Sequence, residues 1–119
     1  MKKILVIDDD LEIVELAKNL LEAHHYEVLT ATDGVHGLEL AKAHQPDLIV
    51  LDVVMPHMDG YTFVQEIKLI DGLRKIPIIV VTAKTDMQDL FINEGVSCFI
   101  TKPFKTEVFL EKVHQLTQS

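Results

Sequence analysis

Four short apolar runs in this chain are each followed closely by a side chain that could do chemistry. Ile4–Ile7 runs into Asp8-Asp9, Leu48–Leu51 into Asp52, and Ile78–Val81 into Thr82. The weaker run Cys98–Ile100 is followed, one residue on, by Lys102. Taken singly, each has an ordinary explanation. An aspartate after a strand is often a helix N-cap, which suits Asp10 and Asp59. A threonine there makes a local hydrogen bond, and a lysine is solvated. Taken together they are harder to dismiss, because three carboxylates brought to one point repel each other unless a cation sits among them. A dication held by carboxylate oxygen is Mg²⁺, Mn²⁺ or Ca²⁺. Few ligands and open positions favour Mg²⁺ with a phosphate-bearing substrate. An acid cluster, a lysine and a hydroxyl around Mg²⁺ are the parts of phosphoryl transfer. The metal and the ammonium absorb charge on the equatorial oxygens, and a carboxylate can be the covalent nucleophile.

These residues converge only if the elements carrying them run the same way. The apolar runs are Ile4–Ile7, Val28–Ala31, Leu48–Leu51, Ile78–Val81 and Cys98–Ile100. Three are unbroken and rich in β-branched residues, the pattern of strands covered on both faces in a parallel sheet. Between them lie stretches with helical spacing. Ile13, Leu16, Ala17, Leu20 and Leu21 predict one apolar stripe. Thr32 or Asp33 could cap a second helix around Leu38 and Ala41. Val64, Ile67 and Ile70 mark a third after Asp59-Gly60. Thr85 and Gln88 form a possible capping box for a fourth, which Gly95 could end. Phe109, Val113 and Leu116 mark the last. Five strand–helix units in alternation imply an open parallel sheet with helices on both faces. Such sheets bind ligands at the carboxyl ends of their strands.

The bulk properties narrow the function. The chain has 119 residues, enough for one compact domain, spanning 1–119. Its formal net charge of −8 repels phosphate backbones and anionic headgroups, so nucleic acid and membranes are poor partners for this domain alone. Cys98 is the single cysteine, so no internal disulfide can form. It reads as a buried small residue more readily than as a redox centre. No run approaches the ~18 apolar residues of a membrane helix, and a cytoplasmic location is expected. His24, His25, His36, His44, His57 and His114 show no pairing of the kind a helical metal site needs. Met55, Met58, Tyr61 and Phe63 read as packing residues.

In this order and spacing, the motifs resemble the receiver domain of two-component response regulators over essentially the whole chain. The landmarks are Ile7-Asp8-Asp9, Asp52-Val53-Val54-Met55-Pro56 with Met58-Asp59-Gly60, Val81-Thr82-Ala83 and Lys102-Pro103-Phe104. The resemblance implies a doubly wound, flavodoxin-like (βα)5 sandwich of the α/β class, with a five-stranded parallel sheet of order 2-1-3-4-5. It implies Asp52 as phosphoacceptor, with Lys102 pairing first with Asp52 and then with the phosphoryl group. Mg²⁺ would be held by Asp9, Asp52 and the backbone carbonyl of Val54, and by Asp8 through water. Thr82 would move to a phosphoryl oxygen, and Phe99 would turn inward behind it as the switch aromatic. The Lys102–Pro103 peptide would be cis. A sensor histidine kinase or histidine phosphotransfer protein would supply the phosphoryl group. The face of the fourth helix, fifth strand and fifth helix would carry the output, a possible homodimer included. Such a domain catalyses only its own phosphorylation and dephosphorylation.

The sequence departs from the family's usual pattern in places. Phe99 stands where tyrosine is common and has no hydroxyl to donate. Ser97-Cys98 replaces the usual small and acidic residues. The stretch from Thr82 to Lys102 is slightly short, a difference that falls on the fourth helix or its leading loop. Val54 and Lys84 occupy positions that tune phosphorylation lifetime, and Val54, unable to position a water, predicts slow hydrolysis. Other readings compete. A phosphatase of the haloacid-dehalogenase type wants an acid where Val54 stands. A flavodoxin-type FMN carrier wants a Ser/Thr/Gly-rich loop in place of Asp8-Asp9-Asp10. A receiver-like binding module that signals without phosphorylation would have no use for the complete acid set and Lys102.

Overall fold

A computed structural model of the chain describes residues 1–52, 58–83 and 88–118. Its elements alternate as expected: β1 Lys3–Ile7, α1 Leu11–Ala23, β2 Glu27–Ala31, α2 Gly34–His44, β3 Leu48–Leu51, α3 Gly60–Lys68, β4 Ile78–Thr82, α4 Gln88–Asn93, β5 Cys98–Thr101 and α5 Thr106–Thr117. The five strands form one parallel sheet in the order β2-β1-β3-β4-β5.

Alternation of side chains along each strand divides the core in two. Leu5, Ile7, Ile49, Leu51, Ile78 and Val80 face α2, α3 and α4, where they meet Ala41, Phe63, Val64, Ile67 and Phe91. Ile4, Val6, Leu48, Val50, Ile79 and Val81 face α1 and α5, where they meet Ala17, Leu21, Phe109 and Val113. Every residue of β3 and β4 is buried. That is why Leu48–Leu51 and Ile78–Val81 are apolar without alternation, since a polar side chain buried on either face loses its water and must find a partner.

The starts of α1, α2 and α3 are fixed by aspartates. Asp10 accepts from the Glu12 amide, Asp33 from the His36 amide and Asp59 from the Thr62 amide, each satisfying a donor that the first helical turn leaves open. Asp33, rather than Thr32, is therefore the cap of α2. Gly34 lies so close to the Met58 carbonyl that a Cβ there would sit 2.7 Å from its oxygen. This contact seats the end of the loop after β3 against α2. Gly95 ends the α4 turn with φ of 88°, a conformation natural to glycine. Thr85, the other half of the expected capping box, lies outside the described residues.

The stripe on α1 is rotated from its expected position. Val14, Ala17 and Leu21 are buried, Ile13 and Leu20 are half-buried, and Leu16 is 64% exposed. Six apolar residues between 13 and 21 permit more than one stripe. The one that faces the sheet is centred between 14 and 17. At ~100° per residue, Leu16 lies on the order of 130° from that centre. Among the described residues, no helix is long and apolar enough to cross a membrane.

Candidate functional site

Strand register builds the site. Ile7 pairs with Leu51 across β1 and β3, so Asp8 and Asp52, one residue beyond each, emerge side by side. The ladder continues past the strands, with the Asp52 amide donating to the Ile7 carbonyl at 2.9 Å and the Asp8 amide to the Ala31 carbonyl at 3.1 Å. Thr82 pairs with Thr101 across β4 and β5, and the Lys102 amide donates to the Thr82 carbonyl at 2.8 Å. Parallel strands thus bring five residues from four strand ends to one edge.

The side chains meet there. One carboxylate oxygen from each of Asp8, Asp9 and Asp52 lies within 4.8 Å of the other two. Asp8 is buried, Asp52 half-buried and Asp9 exposed. The Lys102 ammonium donates to Asp8 Oδ2 at 2.9 Å and stands 3.9 Å from Asp52 Oδ2. Its shorter ion pair is therefore with Asp8, and Asp52 is within electrostatic reach but beyond hydrogen-bond distance. Asp8 Oδ1 accepts from the Asp10 amide at 3.0 Å, which fixes the carboxylate from its other side. Among the described residues, three carboxylates face one ammonium, an excess of negative charge. An all-oxygen set of this kind suits a hard dication such as Mg²⁺.

Thr82 ends β4 and is 2% exposed. The Lys102–Pro103 peptide is cis. Phe104, after it, packs on Phe109 of α5 with ring centroids 5.1 Å apart. Phe99 sits opposite Val80 in the sheet, half-buried, and its ring lies 6.3 Å from that of Phe91 on α4. It belongs to the α2–α3–α4 side of the core. Val54 and Lys84 lie outside the described residues. One connection near the site was not readable from the sequence: the Tyr61 hydroxyl on α3 donates to Glu94 Oε1 at 2.7 Å, just after α4. The two residues are 33 apart, and no local spacing signals the contact.

A sheet of this order, with acids and a lysine at its carboxyl edge, defines a class of signalling domain, and the comparisons agree. The family model described as response regulator receiver domain matches residues 4–114. RpaA of Synechocystis, a DNA-binding dual master transcriptional regulator, is 39% identical over 118 residues, 98% of this chain but 49% of its own. The structure of the Vibrio cholerae chemotaxis protein CheY4 superposes with a TM-score of 0.91 at 30% identity, covering 98% of both chains. The receiver domain of sensor histidine kinase PA1611 from Pseudomonas aeruginosa superposes with a TM-score of 0.91 at 25% identity, over 99% of this chain and 98% of that one. It carries a magnesium ion coordinated in its active-site cleft. This chain belongs to the response regulator receiver family, whose members signal in a phosphorylation-dependent way. It spans about half the length of RpaA.

Proposed function

We propose that residues 1–119 act as a phosphoryl-accepting switch in which Asp52 is the nucleophile. A carboxylate oxygen of Asp52 attacks phosphorus in a phosphohistidine of a kinase or phosphotransfer protein. The N–P bond breaks, its electron pair stays on the imidazole nitrogen, and an acyl phosphate forms on Asp52. The observation that carries this reading is the position of the Lys102 ammonium, 2.9 Å from Asp8 and 3.9 Å from Asp52. It pairs with the buried acid yet lies close enough to the nucleophile to meet a phosphoryl oxygen arriving there.

Asp9 and Asp52, with the Val54 carbonyl and with Asp8 through water, are the residues that would hold Mg²⁺. Bound there, the ion would offset charge on the transferring oxygens. Asp8, held by Lys102 and the Asp10 amide, keeps its carboxylate aimed into the cluster. Thr82 donates its hydroxyl to the phosphoryl group, and Phe99 moves into the space behind it. That changes the surface of α4, β5 and α5, where an output partner or a second copy would dock. No other substrate is turned over.

The test is incubation with acetyl phosphate, with Mg²⁺ or with a chelator, followed by intact mass. The reading expects one added phosphoryl group in the presence of Mg²⁺ and little without it. No added mass with Mg²⁺ present would leave a binding module that signals without phosphorylation. Mg²⁺ alone should raise the melting temperature by mass action. Asp9→Asn should lose most of that rise, and a full rise in the variant would reject the ligand assignment.

A further inference from the structure

We propose that Tyr61 and Glu94 form a latch that fastens α4 to α3 and sets the position from which the switch departs. The proposal rests on the switch reading above and adds to it a named restraint between two helices.

Within its described residues, α4 packs on β5 and the core through one buried side chain. Among its described residues, Gln88–Asn93, Phe91 is buried, while Gln88, Asp89, Leu90, Ile92 and Asn93 are exposed. Tertiary packing, more than helix propensity, decides where such a segment lies. Two contacts tie it to α3. The Tyr61 ring meets Phe91 edge-on, with centroids 5.7 Å apart and planes at 86°, a favourable aromatic arrangement. Beyond the ring, the Tyr61 hydroxyl reaches Glu94 at 2.7 Å. A hydrogen bond to an ionised acceptor is stronger than one between neutral groups. Glu94 lies at the turn that closes α4, beside Gly95, so the bond holds the end of the helix while Phe91 holds its middle.

The latch is connected to the switch aromatic. Phe91 lies between Tyr61 and Phe99, whose ring is 6.3 Å away at 46°. Phe99 cannot change its place without moving against Phe91, and Phe91 cannot yield while Tyr61 and Glu94 hold the helix. α3 is a sound anchor, since Gly60, Phe63, Val64 and Ile67 are buried in it. Breaking the latch should therefore free α4 while the rest of the fold stays as it was.

The experiment is amide hydrogen exchange on the unphosphorylated chain, comparing wild type, Tyr61→Phe and Glu94→Gln, with acetyl phosphate labelling rates measured in parallel. Tyr61→Phe keeps the ring and removes the hydroxyl. Glu94→Gln keeps an acceptor and removes the charge. Tyr61→Phe should speed exchange in residues 88–96 about five- to tenfold, and Glu94→Gln by less. Exchange in α1 should be unchanged, and Tyr61→Phe should accept phosphate faster. Wild-type exchange in 88–96 for Tyr61→Phe, or acceleration spread evenly over the chain, would overturn the latch. Faster exchange with an unchanged labelling rate would overturn its coupling to the switch. If wild type itself takes no phosphate, the switch reading fails, and the exchange data alone judge the latch.

Discussion

α1 and α4 leave the two halves of the site, and they are fastened in different ways. α1 follows Asp8 and Asp9. It is 13 residues long, is capped by Asp10 and buries Val14, Ala17 and Leu21 along its length. Among the described residues of α4, which follows Thr82, the buried side chain is Phe91, and the Tyr61–Glu94 bond ties the turn after it to α3. The difference suits the work assigned to each half. Under the proposed switch, acids that would hold a cation and a lysine need a fixed mount. A threonine that would move under that proposal, and a surface that would change with it, call for an element that can be released at small cost.

Substitutions can break this contrast or sharpen it. The largest effect should come from Phe91→Ala, which empties a fully buried site and should cost about 3–5 kcal/mol in urea unfolding. It should also strip exchange protection from α4 beyond the general loss. Leu21→Ala on α1 should cost about 2–5 kcal/mol with no selective loss at α4. Equal protection of α4 in both variants would erase the contrast. Asp10→Ala removes the cap of α1 and should cost about 1 kcal/mol. Because Asp10 also donates its amide to Asp8, the loss should be read by unfolding and not by phosphorylation rate alone. Leu16→Ala should change stability by less than about 0.5 kcal/mol, because that side chain is mostly in water. A loss of several kcal/mol would return Leu16 to the core.

The latch also has a signature in alkali. The Glu94 carboxylate accepting from the Tyr61 hydroxyl, with burial adding to it, raises the phenol above its ordinary value near 10. A raised folded value means the unfolded chain loses its proton first as pH rises. The stabilisation is therefore complete below the ordinary tyrosine value and disappears as pH climbs through the raised one. Ultraviolet titration in a Tyr26→Phe background should show Tyr61 ionising above the ordinary value, and Glu94→Gln should bring it down. No movement on that substitution would mean the bond is absent in solution.

Much of this was legible before any coordinates. Unbroken apolar runs such as Leu48–Leu51 and Ile78–Val81 reveal strands covered on both faces. Parallel strands must bring the residues after them to one edge, so Asp8, Asp9, Asp52, Thr82 and Lys102 could be placed together. Asp10 and Asp59 were readable as caps because capping depends on neighbours a few residues away. What could not be read depends on distant contacts. The phase of α1 between Val14 and Leu16 is decided by how the helix lies on the sheet. The partner of Lys102 is decided by distances, 2.9 Å to Asp8 against 3.9 Å to Asp52, that no spacing encodes. The Tyr61–Glu94 bond joins two helices through an intervening strand of sequence, and only their packing brings it about.

The central claim is that Asp52 takes the phosphoryl group. Intact mass spectrometry of wild type beside Asp52→Asn, after acetyl phosphate and Mg²⁺, tests it most directly. The substitution keeps the shape of the side chain and removes the nucleophile. One added phosphoryl group on wild type and none on Asp52→Asn is the result expected, whereas an equal addition to the variant would contradict the account.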